Sequence, residues 1–191
     1  MPSKTFSLSA ANTFAAVLVY NDDSKLLSRL GHDHVIRADH FASSIELDPD
    51  DLASLSFTLE FLADALVVDD DDDRARMALG GPVSSHDRDK TRDNMLGRGQ
   101  LNTKKHKTIT FEVNGATHQA DHTWHLHAAL TICGTRHGFD FPVDLTLDNG
   151  LTVSGRVDLS HAHFGLKPYK APMGALKNRD KLTFVVDANL T

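Results

Sequence analysis

Three pairs of histidines lie two residues apart: His32 and His34 within Gly31-His32-Asp33-His34, His125 and His127, and His161 and His163. On a strand such pairs share a face with Cα atoms roughly 6.6 Å apart, close enough for two imidazoles to converge on one zinc ion. The chain holds twelve histidines, so acidification would carry its formal charge from −6 towards +6. Surface histidines would do the same, and the count alone assigns no role. No nucleophile elbow, phosphate loop, paired-cysteine metal site or helical HExxH motif is present. Cys133 is the one cysteine, which excludes an internal disulfide. It reads as a small residue beside a hairpin turn. The run Asp69–Asp73 lacks the spaced ligands and turn glycine of a calcium loop and reads as a solvated loop.

The elements that would position these groups are strands. Ile109, Phe111 and Val113 alternate with Thr108, Thr110 and Glu112, the signature of a half-buried strand. Trp124, Leu126, Ala128 and Leu130 repeat the pattern, as do Phe139, Phe141, Val143, Leu145 and Leu147. Leu151, Val153, Val157 and Leu159 follow, and then Leu182, Phe184, Val186, Ala188 and Leu190. Asn114-Gly115, Gly134-Thr135 and Asp148-Asn149-Gly150 supply turn residues between the runs. Residues 13–20, 35–47 and 55–68 also read as extended. Eight or so antiparallel strands close most simply into an up-and-down barrel, because closure removes exposed edges, with a sandwich as the alternative. One helix is expected at about 86–97, after Ser85.

Face parity separates the histidine pairs. His125 and His127 oppose the Trp124 and Leu126 face and point outward. His161 and His163 share parity with Leu151 to Leu159 and, without a bulge, point inward, where each ring needs a partner. For His32 and His34 the parity is ambiguous, because Val35, Phe41, Ile45 and Leu47 claim the face opposite to Ile36.

At 191 residues with 40% apolar and 24% charged residues, the chain is sized for one domain over 1–191 with a sizeable core. Its negative charge argues against nucleic acid as a partner. No stretch reaches the roughly 18 apolar residues of a membrane-spanning helix. The first twenty residues lack the pattern of a secretory signal, so a cytoplasmic protein is expected.

The segments LNTKKHKTITFEV, WHLHAALTICGTRHGFDFPVDLTL, GRVDLSHAHFGLKP and KNRDKLTFVVDANL, in that order and spacing, resemble the YceI-like family over most of residues 13–190. The RDNML segment falls where that family has its one helical insertion. The resemblance implies a mainly β, extended, lipocalin-like antiparallel barrel whose tunnel holds a polyisoprenoid, an isoprenoid quinone or a related lipid, with no known catalysis and no cofactor. The residues expected to line the tunnel are Leu59, Ile109, Phe111, Trp124, Leu126, Phe139, Phe141, Val143 and Phe184, with His161 or His163 meeting a polar head. The expected partner is a hydrophobic small molecule or lipid, and a homodimer is left open. Residues 165–180, with Pro168, Pro172 and Gly174, are expected to form a loop that gates the tunnel mouth and offers Tyr169 and Met173 to the ligand. Lys167, Lys170 and Lys177 would there meet an acidic or phosphorylated head. A second reading, from histidine spacing alone, is a metal-dependent enzyme built on His32, His34, His161 and His163. A third is a structural or partner-binding barrel.

Overall fold

The computed structural model describes residues 3–22, 24, 31–148, 150–171 and 176–191. The alternating runs form strands β1 (Lys4–Ser9), β2 (Thr13–Asn21), β3 (His34–Arg37), β4 (Ala42–Leu47), β5 (Ser56–Leu62), β6 (Val67–Val68), β7 (Thr108–Ala120), β8 (Thr123–Ile132), β9 (Thr135–Thr146), β10 (Leu151–Ser160) and β11 (Asn178–Leu190). Two helices join them: α1 (Asp71–Arg76) and α2 (Ser85–Leu96). The expected eight strands become eleven because segment 35–47 breaks into β3 and β4 around His40, at φ 51°, and segment 55–68 into β5 and β6. β1 is additional.

Nine strands make one antiparallel sheet in the order β5-β7-β8-β9-β10-β11-β2-β3-β6, curled into a half-barrel, while β1 and β4 pair separately. A 3-10 turn, Ala63–Ala65, links the two edge strands β5 and β6. The apolar parity of each strand faces inward. Phe41, Leu47, Leu55, Phe61, Phe141 and Leu190 gather near the β1–β4 pair, and Val19, Ile36, Leu130, Ile132, Leu159 and Leu182 gather towards the other end.

Outside the sheet, Phe14, Ala16, Leu18 and Val35 form a small second core with Met77 and Leu79, which follow α1. Both faces of β3 are therefore covered. This is the physical reason that parity could not orient His34: Ile36 and His34 face inward while Val35 is equally buried outward.

Three expectations change. Asn114-Gly115 is no turn, for β7 runs through it as a bulge, with Gly115 at φ 120° and its N–H donated to the Leu55 carbonyl at 2.7 Å. The β7–β8 turn is instead Asp121-His122, with Asp121 at φ 47°. The β8–β9 turn lies one residue earlier than expected, at Cys133-Gly134, both left-handed as a two-residue hairpin of primed type requires. Asp69–Asp73 is no solvated loop: Asp70 accepts a cap bond from the Asp72 N–H and opens α1, Asp69 is fully buried, and Asp73 is nearly so.

Candidate functional site

The inward faces leave the barrel open. A cavity of about 320 Å³ runs through it, within the range of small-molecule sites. Asn178 and Leu190, at the two ends of β11, both line it, so, allowing for the register shift between Asn178 and Leu182, it extends over roughly 30 Å. Leu59 of β5, Ile109 and Phe111 of β7, Leu126 of β8, Phe139 and Phe141 of β9, and Phe184 of β11 all face it. Phe111 and Phe141 meet edge to face at 6.3 Å, which gives the wall an aromatic section.

Other expected lining residues lie elsewhere. Val143 is 2% exposed and packs within the core without reaching the cavity. Trp124 is half-buried against His118, with ring centroids 4.8 Å apart. Met173 falls outside the described residues. Tyr169 does line the cavity. Its loop is shorter than expected, because β11 begins at Asn178 and Lys170 bridges Lys177. Lys167 and Lys170 are exposed and, like Lys177, do not line the cavity.

The histidines separate by fate. β10 ends at Ser160, and a 3-10 turn, His161–Phe164, breaks the strand parity that predicted two inward rings. Ser160 closes this turn reciprocally: its hydroxyl accepts from the His163 N–H, and its own N–H donates to His163 Nδ1. The turn sends His161 inward, 5% exposed and lining the cavity. His163 goes outward and stacks on His137, with centroids 4.0 Å apart. Burial and the charge of His163 hold the His137 ring below its usual pKa. His127 is exposed between Thr117 and Asp140. His32 is exposed, and His34 lines the cavity. The four histidines of the metal reading thus do not converge, and among the described residues no three metal-ligating side chains do.

His34 is held from behind. Its Nδ1 meets Asp69 Oδ2 at 2.6 Å, while Asp69 Oδ1 accepts from the Val35 N–H at 3.0 Å and from Arg74 at 2.9 Å. Arg74, itself 4% exposed, also donates to the carbonyls of Asp33, Gly81 and Leu79. Burial alone would push the Asp69 carboxyl up. The bonds from His34, Val35 and Arg74 more than offset this and hold it below the usual carboxylate range. Cys133 goes the other way: burial raises its thiol pKa, and its Sγ–H points to the Leu101 carbonyl at 3.2 Å.

Sequence reasoning missed one wall of the cavity. Thr91, Asn94 and Met95 of α2, followed by Gln100 and Leu101, cover the end where His34, His161 and Tyr169 lie. Thr91, Asn94 and Met95 stand at i, i+3 and i+4, an uncharged face on an otherwise charged helix, and that spacing was the available signal. Leu8, Leu47 and Leu151 at the opposite end were missed as well.

The model of the YceI-like domain family matches residues 28–189. No curated protein matches significantly. Among solved structures, BcnA of Burkholderia cenocepacia superposes with a TM-score of 0.65 at 11% identity, covering 92% of this chain and 94% of its own. A polyisoprenoid binding domain from Saccharophagus degradans, implicated in plant cell wall breakdown, gives 0.60 at 12% identity and covers 98% of each chain. The YCEI protein of Campylobacter jejuni gives 0.59 at 10% identity, over 82% of this chain and 84% of its own. At these identities the likeness establishes the fold.

Proposed function

The chain belongs to the YceI-like family, and from that premise we propose that it is a carrier or sequestering protein for a long apolar ligand of the polyisoprenoid, isoprenoid-quinone or related lipid class. The observation that carries this reading is the continuous apolar cavity along the full length of β11. Burial supplies about 0.8 kcal/mol per methylene, so ten methylenes contribute roughly 8 kcal/mol before ordering costs. A narrow channel with few polar partners suffices for such a ligand. The polyisoprenoid-binding neighbour supports the same class. Binding rather than catalysis accounts for the cavity, with Leu59, Ile109, Phe111, Leu126, Phe139, Phe141 and Phe184 around the tail. Among the described residues no helix is long and apolar enough to cross a membrane. We read the carrier as a single cytoplasmic domain, which cell fractionation tests.

The test is mass spectrometry of whatever copurifies with the native chain, followed by delipidation and titration with the C20 alcohol geranylgeraniol. Near-stoichiometric lipid and saturable uptake are expected. Folded protein that neither carries lipid nor takes up the alcohol overturns the proposal.

A further inference from the structure

Apart from Thr13, the polar side chains that line the cavity gather at one end, and the two histidine rings there are presented in the same way. His34 Nδ1 faces a carboxylate oxygen of Asp69 at 2.6 Å, and His161 Nδ1 faces the backbone carbonyl of Asp180 at 2.9 Å. Both partners only accept hydrogen bonds, so each singly protonated ring must carry its proton on Nδ1. Nε2 is then a bare lone pair. Among the described residues neither Nε2 has a hydrogen-bond partner, yet no side-chain nitrogen or oxygen is left both buried and unsatisfied. Each Nε2 therefore opens onto free space, and both rings line the cavity.

The rings are at neighbouring levels. His34 pairs with Val19, Val19 with Leu182, and Leu182 with Leu159, two residues before His161. Neither ring can turn away cheaply. The His34 partner is fixed by Arg74 and the Val35 N–H, and His161 is 95% buried on a capped turn. No Lys, Arg, Asp or Glu is among the residues that line the cavity.

We propose that His34 and His161 form a hydrogen-bond-accepting end to the cavity, selecting a ligand whose polar head is an uncharged donor, an alcohol or a quinol hydroxyl. Asp69 and the Asp180 carbonyl act as positioning groups that hold each proton on the far side of its ring. An ionised phosphate or diphosphate head would find no Lys or Arg among the lining residues to offset its charge. The inference names the head of the ligand whose tail the previous section places in the channel, and it rests on that reading.

The experiment compares three C20 probes with one tail: geranylgeraniol, its methyl ether, and geranylgeranyl diphosphate, each titrated into the delipidated full chain. The alcohol should bind about tenfold more tightly than the ether, the worth of one well-made hydrogen bond in a dry site, and more tightly than the diphosphate. In a His34→Phe, His161→Phe variant, the roughly tenfold preference for the alcohol over the ether should be lost, whatever the absolute affinity for the tail. Equal binding of alcohol and ether to the unaltered chain, or preference for the diphosphate, overturns the head-group assignment and leaves the tail-binding reading intact. Failure of all three probes to bind removes the tail-binding reading itself. The comparison on the unaltered chain decides the matter even if the double variant does not fold.

Discussion

The two ends of the channel are built from opposite materials. At the β1–β4 end, Leu8, Leu47, Leu151 and Leu190 close on one another, and Leu47, Leu151 and Leu190 are each at most 2% exposed. At the α2 end stand Thr91, Asn94, Gln100, His34, His161 and Tyr169. Apolar contact is non-directional and scales with area, so the first end can measure how long a tail is but cannot recognise it. Hydrogen bonds have geometry, and an unmet one in a dry site is costly, so the second end can distinguish heads. On the proposed reading, a single cavity would divide length from identity along its axis.

The largest effect is expected where the polar end is anchored. Arg74→Met removes a guanidinium that bonds Asp69 and three carbonyls, leaving the Asp69 carboxylate buried with only His34 and the Val35 N–H. Breaking a buried pair on one side costs roughly 3–5 kcal/mol. Urea denaturation should show that loss. A cost below about 1 kcal/mol, the level of a surface ion pair, would mean that the network does not hold this end in place.

A smaller effect should appear at the closed end, in ligand length rather than stability. Ala188 of β11 is 3% exposed and lines the cavity, so Ala188→Phe should fill part of its blind end. Every methylene that no longer fits weakens binding about fourfold, at 0.8 kcal/mol each. Competition among prenols of increasing length should shift towards shorter chains, with the alcohol-to-ether ratio unaltered. If that ratio changed and the length preference did not, the two ends would not be independent. The overpacking itself should cost about 1–3 kcal/mol of stability.

The sequence disclosed the apolar end's logic better than the polar end's. Phe111, Phe139, Phe141 and Phe184 could be placed on an inward face because period two survives as long as a strand continues. It failed where a strand stopped or shifted unseen: at Ser160, whose cap starts a 3-10 turn and splits His161 from His163, and at Gly115, where a bulge absorbs a residue. Asp69 was read as solvated because a row of five acids ordinarily is. Its burial depends on Arg74 and His34, which are five residues away on one side and thirty-five on the other. Pairings of that kind leave no periodic trace. The uncharged face of α2 did leave one, too short to stand out from the helix's charges.

The smallest effect concerns the outer side of the turn that aims His161. His163 stacks on His137 of β9, and two imidazoles 4.0 Å apart resist sharing positive charge. The folded His137 pKa lies below its usual 6.5, because of partial burial and then the charge of His163. The unfolded chain therefore takes up the proton first. Stability should fall as the pH drops through about 6.5 towards the folded value and level off below it. Above that window His137 contributes no pH dependence. His163→Gln should shrink this part of the profile without abolishing it, because burial is the larger cause, while the acid loss arising from Asp69, whose pKa is also depressed, remains in place below about pH 4. Because His161 and His163 share one capped turn, the protection factors of amides in residues 161–164, corrected for the intrinsic pH dependence of exchange, should fall in mild acid before those of the β1–β4 end. Protection that falls equally at both ends, or an unchanged profile in the variant, would show that the stacked pair has no hold on the turn.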